Sequence, residues 1–363
     1  MTNVDVVVIG AGQAGLAASH ALMDTGLSHV VLEAGEAVGG SWPHYYDSLT
    51  LFSPARYCEL PGLQMPGDRD RYPTRDEAVA YLRRYAEHFE LPIRTRSRVV
   101  GVRPTAGNLW EVELASGETV QTRAVIAATG SFERPHRPQL RGQDRYGGRL
   151  MHVSEYRRPA EFVGQRIVVV GAGNSGVQVA VELSEVADVT LATRAPVSFR
   201  PQRPLGIDVH YWVARSGVDR LPLGRRAGSS VGVLDAGHYA AAIAAGRPDR
   251  REMFFGLTPD GVEWWEGPRE RVDTVILATG YRPSLDYLPT AAFAADGYPL
   301  HRRGVSTALP RLGYVGLPGQ TSLPSSMLRG VGRDAEKVVR HLRRELRTPL
   351  PLRLERPLAE VRS

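Results

Sequence analysis

"VVVGAGNSGVQVAVEL", residues 168–183, reads as an apolar strand, a glycine-rich turn and the start of a helix. Its Gly-x-Gly-x-x-Gly core is Gly171, Gly173 and Gly176, with Asn174 and Ser175 between the last two glycines. The same device opens the chain as "VVVIGAGQAGLAASHAL" at 6–22, where Gly10, Gly12 and Gly15 frame Gln13. Both motifs sit in a strand–helix–strand unit. The first is "VDVVVIG", "QAGLAASHALMDTG" and "HVVLEAG"; the second is "QRIVVVG", "NSGVQVAVELSEVA" and "DVTLATR". That context gives the glycines a purpose. They allow a tight turn and close approach of a pyrophosphate, and the helix N-terminus supplies amide donors and partial positive charge. One such motif binds one dinucleotide, so this chain is expected to bind two.

The end of the second strand in each unit selects the ligand. Glu33 follows Gly10 by 23 residues and Arg194 follows Gly171 by 23, which predicts equivalent positions. A carboxylate there accepts hydrogen bonds from ribose hydroxyls, as in FAD or NAD, whereas a guanidinium forks onto a 2′-phosphate. The first unit is therefore expected to take a dinucleotide with a free ribose and the second NADP(H). Thr193 stands beside Arg194 on the opposite strand face.

A second echo supports duplication. "RAVIAATGS" and "DTVILATGY" are apolar strands ending in Ala-Thr-Gly at 128–130 and 278–280. A meander with a turn at Ser116-Gly117 precedes the first, and a hairpin, "LTPDGVEWWEG", precedes the second. The expected fold is α/β, with two Rossmann-like dinucleotide-binding domains, the second inserted into the first. Residues 1–140 and 281–363 would form one and residues 141–280 the other. "TRDEAVAYLRRYAEHFE", with a capping box at Thr74 and Glu77, and "RDAEKVVRHLRREL" read as amphipathic scaffold helices. Trp264 and Trp265 read as packing residues.

Composition narrows the classes. The formal charge is +6, yet Lys337 is the one lysine, so Schiff-base chemistry has little support. No basic run interleaves with aromatics, which argues against nucleic acid. No apolar run approaches the ~18–20 residues of a membrane span. A lone Cys58 allows no internal disulfide and no redox-active pair, which rejects a disulfide reductase. No metal-ligating cluster is evident. The first strand starts too near Met1 to leave room for a signal peptide, so a cytoplasmic protein is expected.

Five stretches, "GAGQAG", "GGSW" at 39–42, "YGGRLMHVSEYR" at 146–157, "GAGNSG" and "LATGY", resemble the flavin-containing monooxygenases over nearly the whole chain. The third matches the family fingerprint Phe-x-Gly-x-x-x-His at Tyr146, Gly148 and His152, followed by Tyr156 and Arg157, with Tyr146 in place of Phe. The resemblance implies FAD, reduced by NADPH, and oxygen transfer to a small sulfide or amine through a C4a-hydroperoxyflavin. The chemistry is then largely the flavin's, so no catalytic side chain is named, and His152 is a structural organiser. Ala34, Gly40, Ser41, Trp42, Val99, Thr129, Gly130 and Gln320 join Glu33 as implied flavin-site residues. Thr279 and Gly280 join the second motif. An Asn found in several family members near the flavin is absent; "DSLTLFSPARYCELPG" offers Phe52 and Ser53 instead, which implies leakage to peroxide. The substrate would be lined by loops around 42–66 and 200–235. Partners are molecular oxygen and a small molecule, and a homodimer is compatible with the chain. An NADPH oxidase or quinone-type reductase, or a non-catalytic redox sensor, stays open as an alternative.

Overall fold

The structure, a computed structural model, describes residues 3–105, 107–221 and 232–347. Part of the expected substrate loop, 222–231, and the tail 348–363 lie outside the described residues.

Two parallel sheets carry the two glycine motifs. In the first, Leu312–Tyr314, Thr119–Ala127, Asn3–Ile9, His29–Leu32 and Ile93–Arg94 lie side by side and parallel. The meander Val99–Thr105 and Leu109–Leu114 joins antiparallel to Thr119–Ala127, with its turn at Ser116-Gly117 as expected. In the second sheet Asp249–Glu252, Asp188–Thr193, Arg166–Val170, Thr274–Leu277 and Arg149–His152 are all parallel. Each glycine-motif strand is flanked by its own second strand and by its own Ala-Thr-Gly strand.

Both central strands are continuously apolar because both faces are covered. Val6 and Val8 pack with Leu16, Leu22 and Tyr85, whereas Val7 and Ile9 pack with Trp110, Val112 and Leu312. Ile167 and Val169 likewise face a different core from Val168 and Val170. The glycine turns repeat atom for atom. A Cβ on Gly15 would stand 1.7 Å from the Gly10 carbonyl oxygen, and one on Gly176 would stand 2.4 Å from that of Gly171. Only hydrogen lets each helix pack so close to its strand end.

The capping box is present: Thr74 Oγ1 accepts from Glu77 N, and Glu77 accepts from Thr74 N, opening the helix Arg75–His88. The helix expected over 333–346 starts earlier and spans Leu328–Arg347. Trp264 is buried, as expected of a packing residue, but Trp265 is 70 % exposed and only meets the Phe255 ring. No helix among the described residues is long and apolar enough to cross a membrane.

The chain crossings between the two units are pinned at the strand ends. Thr129 Oγ1 donates to the Ser284 carbonyl, and Ser284 N donates back to Gly130 O at 2.9 Å. Thr279 Oγ1 donates to the His136 carbonyl, and His136 N donates back to Gly280 O at 2.8 Å. Each Ala-Thr-Gly end thus holds the chain crossing near the other. Tyr46 adds a plug: its ring lies in the core of the second unit, and its hydroxyl donates to Gln178 Oε1 at 2.5 Å.

Candidate functional site

A cavity of about 1200 Å³ opens at the C-terminal ends of the first sheet's strands, where open α/β sheets bind ligands. Its walls include Gly10, Gly12, Gln13, Glu33, Ala34, Gly40, Ser41, Trp42, Val99, Thr129 and Gly130, all expected from the sequence. At one end Glu33 is fixed by two backbone donors: Ala11 N to Oε2 at 2.6 Å and Gly35 N to Oε1 at 2.8 Å. The helix Gln13–Met23 has Gly12 as N-cap and no side-chain cap, so its first amides are free to meet an anion. A Cβ on Gly40 would lie 2.8 Å from Gly12 Cα, so the 39–42 turn closes directly over the glycine motif. Trp42 Nε1 donates to Gln13 Oε1, and Gln13 Nε2 donates to Ser326 O, each at 2.6 Å. Gln13 therefore ties the turn to the segment before the last helix. These features fit an extended dinucleotide carrying a pyrophosphate at the helix end.

Gln320 is a correction. It is buried away from the cavity, with Oε1 accepting from Leu317 N at 3.3 Å and Nε2 packed against Gly304. From that segment Gly316, Pro318, Ser326, Met327 and Leu328 reach the wall instead. The hydroxyl of Thr129, a residue of the wall, is also committed to the Ser284 carbonyl. Gly15 lies behind the wall as a packing contact.

The other end of the cavity is walled by Leu51, Phe52, Ser53, Tyr57, Cys58 and Met327. Cys58 Sγ donates to Ser53 O at 3.2 Å, and burial pushes the thiol up to about 11, so it is neither charged nor nucleophilic near neutral pH. Phe52 and Tyr57 stack on the buried His210, whose ring centroid is 6.1 and 6.0 Å away. Asp208 holds His210 Nδ1 at 2.8 Å and also accepts from Tyr72 and Gln202, and these donors keep its carboxyl at about 2 despite burial. Of the two loops expected to line the substrate, 42–66 reaches the wall, whereas the described part of 200–235 reaches only the layer behind it, through His210.

At the second motif, Gly173 caps the helix Asn174–Leu183 without a side-chain bond, and a Cβ there would meet nothing within 4 Å. Asn174 Oδ1, buried in the first turn, has no partner among the described residues. The open space over Gly173 and the uncapped first amides of this helix fit a second pyrophosphate-bearing ligand. Gly280 is likewise open above its Cα, while the Thr279 hydroxyl is spent on His136.

The expected equivalence of Glu33 and Arg194 needs correcting by one residue. Ile9 pairs with Leu32, so Glu33 stands next to Gly10; Val170 pairs with Ala192, so Thr193 stands next to Gly171. The second unit has a helix of 10 residues against 11 in the first, and this makes its crossover one residue shorter. Arg194 lies one step beyond, exposed, with no hydrogen bond or ion pair among the described residues. Thr193 is buried and accepts from Arg250 Nε at 2.9 Å, and Arg250 Nη2 is buried with no partner among the described residues. Arg250 was not singled out in the sequence; one more arginine on a short strand of an arginine-rich chain gives no local signal.

His152 ties the fingerprint segment to the second Ala-Thr-Gly strand. It is fully buried; Nε2 donates to Gly280 O at 3.2 Å and Nδ1 accepts from Ser154 N at 3.1 Å. That pairing is the neutral tautomer, and burial holds its pKa below the ordinary imidazole value.

The pyridine nucleotide-disulphide oxidoreductase model matches residues 7–316. An uncharacterized CzcO-like oxidoreductase of Geobacillus kaustophilus is 31% identical, covering 93% of this chain and 97% of that protein. The indole-3-pyruvate monooxygenase YUCCA1 of Oryza sativa is 31% identical over 77% of each. The solved flavin-containing monooxygenase of Stenotrophomonas maltophilia superposes with a TM-score of 0.84 at 32% identity, covering 95% of this chain and all (100%) of that one. The chain belongs to the pyridine nucleotide-disulphide oxidoreductase family and, within it, is an oxidoreductase of the flavin monooxygenase group.

Proposed function

We propose that the chain is an NADPH-dependent monooxygenase that places one oxygen atom of O2 on a small sulfide or amine and releases the other as water. The observation that carries this reading is one large cavity with a dinucleotide-shaped end at Glu33 and Gly12 and an apolar, aromatic end at Phe52 and Tyr57. Residues 1–140 with 281–363 would hold FAD, and residues 141–280 NADPH. When bound, the flavin accepts hydride from NADPH and activates oxygen.

The side chains position and shield. Glu33, already oriented by Ala11 N and Gly35 N, accepts from the ribose hydroxyls. Gly12, Gly40 and Ser41 bring backbone to the pyrophosphate, and Trp42, Ala34, Val99 and Gly130 line its course. In the second unit Gly173 admits the NADPH pyrophosphate, Asn174 and Ser175 open the helix beneath it, and Gly171 and Gly176 set the turn. Arg194 takes the 2′-phosphate from outside, and Arg250, anchored on Thr193, takes it from the sheet side. Leu51, Phe52, Tyr57 and Met327 exclude water from the reacting end, which favours productive oxygen transfer over side reactions. The likeness to the rice enzyme adds one further substrate class, an aryl-substituted 2-oxo acid, for which Arg83 in the wall is a cation.

The test is the purified protein's NADPH consumption under oxygen with a panel of sulfides, amines and 2-oxo acids. Oxygenated product bearing one atom of labelled O2 supports the proposal. Peroxide alone across the panel returns the reading to an oxidase.

A further inference from the structure

Residues 204–221 place six large apolar side chains in water. Leu205, Ile207, Tyr211, Trp212, Val218 and Leu221 are exposed to 91, 43, 42, 38, 45 and 50 %. The other large exposed apolar side chains among the described residues, Met23, Val100, Val163 and Trp265, are scattered singly along the chain. The six belong to one short stretch. Trp212 Nε1 donates to the Pro204 carbonyl at 3.4 Å, the Tyr211 and Trp212 rings meet edge to face at 5.3 Å, and the turn Val218–Arg220 packs on the helix Val209–Ser216. That helix is well built: Asp208 caps it through His210 N at 2.9 Å, and Gly217 ends it in the left-handed conformation.

Leu205 is the sharpest feature. Its backbone is left-handed, with φ +54°, which a branched side chain seldom adopts, and its side chain is almost wholly in water. Folding gains nothing from either, so the position points outward to a contact.

The exposed charges that residues 199–221 themselves carry are of one sign. Arg203, Arg215 and Arg220 are exposed. The two carboxylates of residues 199–221 turn inward: Asp208 to Tyr72, Gln202 and His210, and Asp219 to Arg333 at 3.2 Å. What faces water is aliphatic and aromatic surface rimmed by guanidinium groups. An amphipathic element of this composition suits the headgroup boundary of an anionic bilayer, where Trp and Tyr bridge apolar and polar layers and Arg pairs with lipid charge. A nucleic acid would use the arginines but has no use for Leu205, Ile207 and Val218, which cannot stack on bases.

We propose that the 204–221 face docks the enzyme peripherally on an anionic lipid surface. The docked element is one layer from the cavity, because its inward residue His210 stacks on Phe52 and Tyr57. Docking therefore sets the apolar end of the cavity beside the lipid, the source of an apolar substrate.

The test is co-sedimentation of the full-length, FAD-loaded protein with vesicles of phosphatidylcholine alone or mixed with phosphatidylglycerol. Binding is expected to the phosphatidylglycerol vesicles, to weaken as salt rises, and to fall by about tenfold or more in each of Leu205→Asp and Trp212→Asp. Arg215→Glu with Arg220→Glu should abolish the preference for anionic lipid. Unchanged FAD content and NADPH oxidation in lipid-free solution certify that these variants are folded. No binding to either vesicle, or binding that all the variants retain, overturns the proposal. So does a wild-type dimer that dissociates in Leu205→Asp without any lipid binding, or binding to single-stranded DNA but not to vesicles.

Discussion

The hydroxyl of Thr193 accepts a hydrogen bond from Arg250 Nε at 2.9 Å, which sets a second guanidinium beside the strand end that leads to Arg194. The Arg250 Nη2 atom is left buried and unpaired among the described residues, as expected of a group awaiting an anion. Arg194→Ala should therefore raise KM for NADPH about 10- to 100-fold and leave NADH nearly unchanged, the size of one charge-assisted phosphate contact. Arg250→Ala should act in the same direction. Equal losses for both cofactors would show that these arginines are structural.

The glycines separate packing from binding. Gly173→Ala adds a methyl where no protein atom lies within 4 Å, so the fold should keep its Tm and FAD while KM for NADPH rises. Gly15→Ala puts its methyl 1.7 Å from the Gly10 carbonyl and should destabilise by about 1–3 kcal/mol or more through overpacking. Calorimetry and cofactor kinetics on both proteins check this; a destabilised Gly173→Ala would refute the assignment of that space to ligand.

Burial lowers the His152 pKa in the fold, so the unfolded chain takes up a proton that the native state refuses. Stability from this residue is present above about pH 6.5 and lost as pH falls through the imidazole range. His20, His29 and His301 shift the same way, so the comparison with His152→Gln carries the information. The variant should show a shallower fall in Tm between neutral and mildly acidic pH. An identical slope would contradict the neutral Nε2–H assignment. Because His152 holds the Gly280 carbonyl, the same variant should slow reduction by NADPH more than it loosens FAD.

At the reacting end Ser53 Oγ lies 3.0 Å from Cys58 Sγ, so it is engaged within the wall, and Phe52 offers no hydrogen-bonding group. NADPH consumption should exceed product, with the balance recovered as hydrogen peroxide. Strict equivalence of NADPH and product would show that another group takes the role of the absent Asn.

Local pattern determined much of this protein. Apolar runs ending in glycine turns specify strand, tight turn and helix within some 30 residues, and two copies of that pattern required two nucleotide units. Glu33 and Gly12 could be read because they sit at fixed places in the glycine motif and its strand, Gly40 and Trp42 because the GGSW stretch resembles the family's, and all four reach the cavity wall. Tertiary structure decided what depends on how segments meet. One residue fewer in the second crossover puts Thr193, not Arg194, beside Gly171. Arg250 gains its place only because Asp249–Glu252 adds to the edge of Asp188–Thr193, and the Gln320 amide turns away because Leu317 and Gly304 fold over it. His210 comes behind Phe52 and Tyr57 from about 150 residues along the chain, and no periodicity encodes that meeting. Strand and turn propensities act over neighbours, whereas register and side-chain contact are set by the packing of the whole chain.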